Sequence, residues 1–244
     1  MKGRKVMQNR FKTSATIRRM VIIAMFCAMS YVAMLLIHIK VGFLTLDVKD
    51  AVIALCGLYF GPLSALFIAV LVPFLELVTV STTGYYGLIM NILGSVSFSL
   101  TASLVYKYKK TLWGAIVGLV SAGVVTVAVM LLANLFITPY YMGVTVDAVR
   151  GMIPTLLLPF NLLKAVCNVG IVLLLYKSMS RALRRAGFLP RSAKVLPEGN
   201  QAPVQKPQNR KTTLVISLVA LLLIVAAMVL IFTVFEGKFE FGIK

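Results

Sequence analysis

Three polar residues stand at helical spacing inside an apolar run, "LLPFNLLKAVCNVG", residues 157–170: Asn161, Lys164 and Asn168. At i, i+3 and i+7 they share one face of a helix. A lysine near the centre of a membrane span costs roughly 2.5–3.5 kcal/mol, and such residues face a cavity or a partner. The chemistry open to this face is hydrogen bonding, because an amide both donates and accepts while an ammonium donates. A plainer role for Lys164 also stands: pairing with one carboxylate, or reaching along the helix to the outer interface.

Further polar groups fall near the same level. Asn134 lies in "MLLANLFITPYY", Asn91 in "GYYGLIMNILGS", and Glu76 near the end of the third apolar run. Asp47 and Asp50 belong to the first outer loop, and Thr82, Thr83, Gly84, Tyr85 and Tyr86 to the second. Tyr85, Tyr86, Tyr140 and Tyr141 read either as ligand contacts or as an interfacial aromatic belt. A mostly apolar pocket with a few convergent amide, lysine and aromatic groups suits a flat neutral or weakly anionic organic molecule better than a bare ion.

Several chemistries are excluded by what is missing. There is no Walker A glycine loop, HExxH or GxSxG, so no ATPase, metalloprotease or hydrolase site is written in the chain. Repeated carboxylates of an ion relay are absent from the spans. His38, the single histidine, falls at the outer end of the first span and reads as an interface residue. Cys27, Cys56 and Cys167 each sit in an apolar run as small hydrophobes, not as a disulfide set or metal site. In "AMFCAM", Ala24 and Ala28 lie four residues apart, a spacing that lets another helix approach closely.

The elements that must hold these residues are membrane helices. The 244 residues are 60% hydrophobic and 13% charged, with the apolar residues in long unbroken runs. A basic segment, 1–16, is expected to fray or lie on the membrane surface. Helices are then expected at 17–39, 49–60, 62–79, 85–106, 112–137 and 154–180, making a six-helix domain over 17–186. The polar loop "KVGFLTLDVKD" joins the first two, Gly61-Pro62 divides the second from the third, and Pro139 ends the fifth. A Pro-rich linker is expected over 187–211, a seventh span over 212–235 and a short outer tail over 236–244. Nineteen of the 25 basic residues fall in segments that share one side if the N-terminus is cytoplasmic. The net charge of +18 therefore reads as topology and not as a nucleic-acid footprint. The expected protein is an all-α, multi-pass membrane protein with its C-terminus outside.

Taken in order, the basic N-terminus, the Ala24/Ala28 pair, "FLTLDVKDA", "TTGYYGLIMN", "NLFITPYY" and "PFNLLK" resemble the substrate-binding S components of energy-coupling factor (ECF) vitamin transporters, nearest the riboflavin-specific type. The resemblance covers about 15–185. It implies that the chain is no enzyme, needs no cofactor, and captures riboflavin, or its phosphate ester FMN, from outside. It also implies delivery inward on a coupling transmembrane protein, the T component, with two ATPases. Ala24 and Ala28 would pack on that coupling protein. The ligand residues would be Asn91, Asn134, Asn161 and Lys164, with Thr83, Gly84, Tyr85 and Asp47 from the outer loops. Some relatives carry aspartate at the position of Asn161, which bears on ribityl contacts, and often glycine at that of Ala165, which bears on packing. An S component for another vitamin stands beside this reading. So does a self-sufficient secondary transporter in which Lys164 and Glu76 or Asp47 form a coupling pair.

Overall fold

The structure is a computed structural model that describes residues 2–188 and, beyond them, 218, 220–222, 225 and 240–241, with side chains described from residue 16. The first helix, α1 (Lys2–Leu36), runs back through the basic segment and stops short of the expected end. There "IHIKV" turns the chain into a hairpin of β1 (His38–Val41) and β2 (Leu44–Asp47), paired antiparallel with His38 opposite Asp47. This corrects the all-α expectation. Val41, Leu44 and Leu46 are buried against Val149, Leu157, Phe160 and Leu163, so the segment read as a polar loop is a packed strand pair. A third strand, β3 (Glu240–Phe241), lies on the β1 edge with Ile39 opposite Phe241.

Helices α2 (Lys49–Phe60) and α3 (Pro62–Thr79) fall where expected. Gly61 takes φ 93°, a conformation glycine adopts without strain, and Pro62 opens α3, where its missing N–H costs nothing. Next come α4 (Gly84–Tyr108) and α5 (Leu112–Met142). Pro139 lies inside α5 and does not end it: in an apolar medium the other backbone groups have no partner but the helix itself, so the helix carries on to Gly143. The sixth expected helix is longer and composite. Thr145 caps α6 (Val146–Met152), a single π-helical turn (Ile153–Leu157) follows, and α7 (Leu158–Arg185) completes it.

Among the described residues, five stretches are long and apolar enough to cross a membrane: Thr16–Leu36, Pro62–Thr79, Gly84–Tyr108, Leu112–Met142 and Val146–Arg185. α2 is not one of them. Its 12 residues reach only about 18 Å, short of the roughly 30 Å hydrocarbon core, and most of them are buried at the centre of the bundle. The linker expected over 187–211 lies beyond residue 188 outside the described residues; of the seventh span only 218, 220–222 and 225 are described, and all are helical.

Small residues let the helices close around α2. A Cβ added to Gly57 would come within 2.8 Å of Ala65 Cβ and 2.9 Å of Ser103 Cβ, so α3 and α4 approach as far as backbone allows. Phe26, Ile53, Ile68, Phe98, Leu119 and Val172 fill the core between them. At the end away from the hairpin, Tyr59 stacks on Tyr176 and donates to its carbonyl, while the Tyr106 and Tyr176 hydroxyls lie 2.8 Å apart. That cluster plugs one end of the bundle and leaves the hairpin end as the place for an opening.

Candidate ligand-binding site

A cavity of about 360 Å³ lies between the hairpin and the helices. The hairpin gives it a roof of His38, Lys40, Phe43 and Thr45, α2 and α3 contribute Asp50 and Glu76, and Thr82 and Thr83 border it from the loop before α4. Asn91, Asn134, Asn161 and Lys164, chosen from three separate runs of sequence, all line this one space. Asn168, one turn further along α7, lines it too. Thr83 is also a lining residue, whereas Gly84 and Tyr85 start α4 outside the lining, with Tyr85 turned outward. The tyrosines divide between the two readings. Tyr86 and Tyr141 face the cavity in an edge contact with ring centres 6.0 Å apart, and Tyr85 and Tyr140 are exposed.

Asp47 does not line the cavity. It is buried behind it, between two lysines, 2.8 Å from Lys49 Nζ and 2.9 Å from Lys164 Nζ. Burial alone would raise its pKa, but the Lys164 and Lys49 ammoniums outweigh it and hold Asp47 below the ordinary carboxylate range. Lys49 also reaches Glu76 at 3.0 Å and Asn91 at 3.3 Å, and Lys164 stands 3.8 Å from Asp50, whose other oxygen accepts from Ser95. Three carboxylates thus face two ammoniums, and the network carries one negative charge in excess. Lys164 has a carboxylate partner and a place on the cavity together: Asp47 compensates its charge, and its partly exposed side chain lines the cavity.

The amides differ in what they have left to offer. Asn91 donates to Glu76 and accepts from Lys49, and Asn134 donates to the Met130 carbonyl and accepts from Thr138. Both are held in place by the protein. Asn161 donates to the Leu157 carbonyl through Nδ2, and among the described residues no donor meets its Oδ1. His38 Nδ1 and Asn168 Oδ1 are buried without a hydrogen-bond partner among the described residues. Burial pushes the His38 imidazole below its usual pKa, against the pull of Asp47 and Glu76, so it is neutral at pH 7. His38 lines the cavity from the hairpin, just beyond the end of α1.

Sequence reasoning missed Lys49, which is fully buried. The available signal was its place between Asp47 and Asp50, directly before an uninterrupted apolar helix. Phe98, Met130 and Phe160 also line the cavity, and nothing in their composition separates them from ordinary core. Away from the site, Ala24 and Ala28 lie on the exposed face of α1, with Phe26, Cys27 and Ser30 turned inward. Among the described residues no cluster of side chains could hold a metal ion.

Three comparisons bear on this geometry. The family model described as "ECF transporter, substrate-specific component" matches residues 18–176. The riboflavin transporter RibU of Staphylococcus aureus (strain TCH60) is 28% identical over 177 residues, which is 69% of this chain and 93% of that protein. A solved structure of the S component of a bacterial ECF transporter superposes with a TM-score of 0.60 at 29% identity, covering 70% of this chain and 99% of that one.

Proposed function

The chain belongs to the family of ECF transporter substrate-specific components, and from that premise we propose that it is a riboflavin-binding subunit of an importer. Members of this family bind substrates for transport and are not enzymes. The observation that carries the choice of ligand is that Asn91, Asn134, Asn161, Lys164 and Asn168 converge on one cavity between apolar walls, in a chain similar over most of its core to a riboflavin transporter. Riboflavin has a flat apolar ring system, a ring edge of carbonyl and N–H groups, and a polyhydroxyl tail. Amides can meet the edge and the hydroxyls from either side, and Lys164 can donate to a carbonyl or hydroxyl.

In this reading the ligand enters at the hairpin end from outside the cell, in agreement with the bias of basic residues toward the other side. Asn91 and Asn134, already anchored by the protein, are pre-set contacts that need no reordering when the ligand arrives. Thr83 and the aromatic rings of Phe43, Tyr86 and Tyr141 flank the mouth. Transport inward requires energy that the chain does not supply, so a T component and two ATPases are its partners, with Ala24 and Ala28 on the docking face of α1. The test is a thermal-shift panel on the purified chain with riboflavin, FMN, pantothenate and folate. The largest stabilisation is expected from riboflavin; a larger shift from another vitamin reassigns the ligand.

One observation favours a second reading. The close pair of Lys164 and Asp47 beside a cavity is an arrangement that could couple a proton to a solute. Uptake by vesicles containing this chain alone, abolished by a protonophore, would establish a secondary transporter; absence of uptake without the ATPase module supports the S component.

A further inference from the structure

Folded proteins seldom leave a buried amide unpaired, and where they do a ligand or water is the usual partner. Asn168 is such a case: it is 2% exposed, it lines the cavity, and its Oδ1 has no hydrogen bond among the described residues. It also lies at the deep end. Lys164 touches the hairpin through Asp47 and the Thr45 carbonyl, and Asn168 is about 6 Å further along α7, away from the hairpin. Further from the hairpin than Asn91 on α4 and Asn134 on α5, the lining includes Gly94, Phe98 and Thr126, which with Ala165 on α7 give a floor of small and apolar surface on which Thr126 is already bonded to Ser97.

A polyhydroxyl tail placed on this floor would strand most of its own hydroxyls. A flat ring would lay its apolar faces against the floor and need partners only along one edge. The opposite end supplies what a tail needs, with His38, Lys40, Ser81, Thr82 and Thr83 around the mouth. Because the oxygen and nitrogen of an amide exchange places by a flip of the group, Asn168 offers an acceptor and a donor side by side. That pattern complements the adjacent carbonyl and N–H of the ring's imide edge.

We propose that Asn168 is a specificity-determining residue, whose amide pairs with the imide edge of a flavin ring that enters first, leaving the tail at the hairpin. The proposal rests on the riboflavin reading and adds the ligand's orientation to it. Its test uses the full chain in detergent, with Asn168→Leu, and Asn168→Ser as the variant least disruptive to packing. Riboflavin and 3-methylriboflavin, which lacks the imide N–H, are titrated by flavin fluorescence, and the melting temperature is measured without ligand.

Methylation should weaken binding to the native chain about ten- to a hundredfold, and Asn168→Leu should weaken riboflavin by a similar factor. In the variants the methylation penalty should fall to within about threefold, because the pairing it disrupts is already gone. Without ligand, Asn168→Leu should melt at or above the native temperature, since an unpaired buried amide has been replaced by an apolar side chain. An equal methylation penalty in native and variant chains overturns the proposal, as does riboflavin affinity unchanged by both substitutions. A drop in ligand-free melting temperature in both variants, with no change in the methylation penalty, assigns Asn168 a packing role instead. A native chain that binds neither flavin overturns the riboflavin reading itself, and is told apart because no variant is needed to see it.

Discussion

Replacing Lys49 by methionine keeps a stem of similar length and removes the ammonium from a site with no solvent exposure. The native charge stands 2.8 Å from Asp47 and 3.0 Å from Glu76, with Asn91 at 3.3 Å. Its loss leaves Asp47 with Lys164 alone and Glu76 with only an amide donor, and doubles the excess negative charge of the network. Removing one partner of a buried pair costs about 3–5 kcal/mol, because the remaining charge has lost both water and its counter-ion. For a chain of this size that corresponds to a fall of roughly 6–20 °C in melting temperature. The assay is thermal unfolding of the ligand-free protein in detergent. The double variant Lys49→Met/Glu76→Gln restores the original charge balance, so it should melt above the single variant, with a coupling of about 1 kcal/mol or more. A single variant that melts within about 2 °C of the native chain would refute the reasoning, since it would mean that the network carries no charge that needs Lys49.

Lys164→Ala should weaken riboflavin by at least about tenfold, through loss of a donor and of one of the two counter-ions of Asp47, as read by fluorescence titration; unchanged affinity would return Lys164 to a purely structural place. Leucine at both Ala24 and Ala28 should leave binding by the isolated chain intact, because both face outward, while reducing co-purification with the T component and uptake by the whole transporter. Gly57→Val should destabilise the bundle by about 2 kcal/mol or more, since even a Cβ there would meet Ala65 at 2.8 Å; a native-like melting curve would show that α3 and α4 can move apart freely.

How far the site could be read in advance depended on contrast. A lysine or asparagine in a run such as "LLPFNLLKAVCNVG" stands out against its neighbours, and the 3.6-residue period puts Asn161, Lys164 and Asn168 on one face without further information. Gly61-Pro62 marks a boundary because both residues act on the backbone itself. The hairpin had no such mark. Its strands are four residues each, too short for alternation to separate them from the apolar helices beside them, and their burial depends on Val149, Leu157 and Phe160 more than a hundred positions away. Lys49 was hidden for the same reason: its partner Glu76 is distant in sequence, and a lysine beside a loop looks solvated until the fold brings the carboxylate to it. Pro139 misled in the opposite sense, because a rule learned in water overstates how readily a helix stops where no water is present.

The most direct test of the central claim is a titration of the purified full chain into riboflavin, following the quenching of flavin fluorescence. The cavity, with its convergent amides, its lysine and its pre-anchored contacts, predicts saturable one-to-one binding with a Kd below about 1 μM, or a yellow protein that already carries the flavin. A colourless protein that leaves riboflavin fluorescence unchanged through micromolar concentrations would contradict the account.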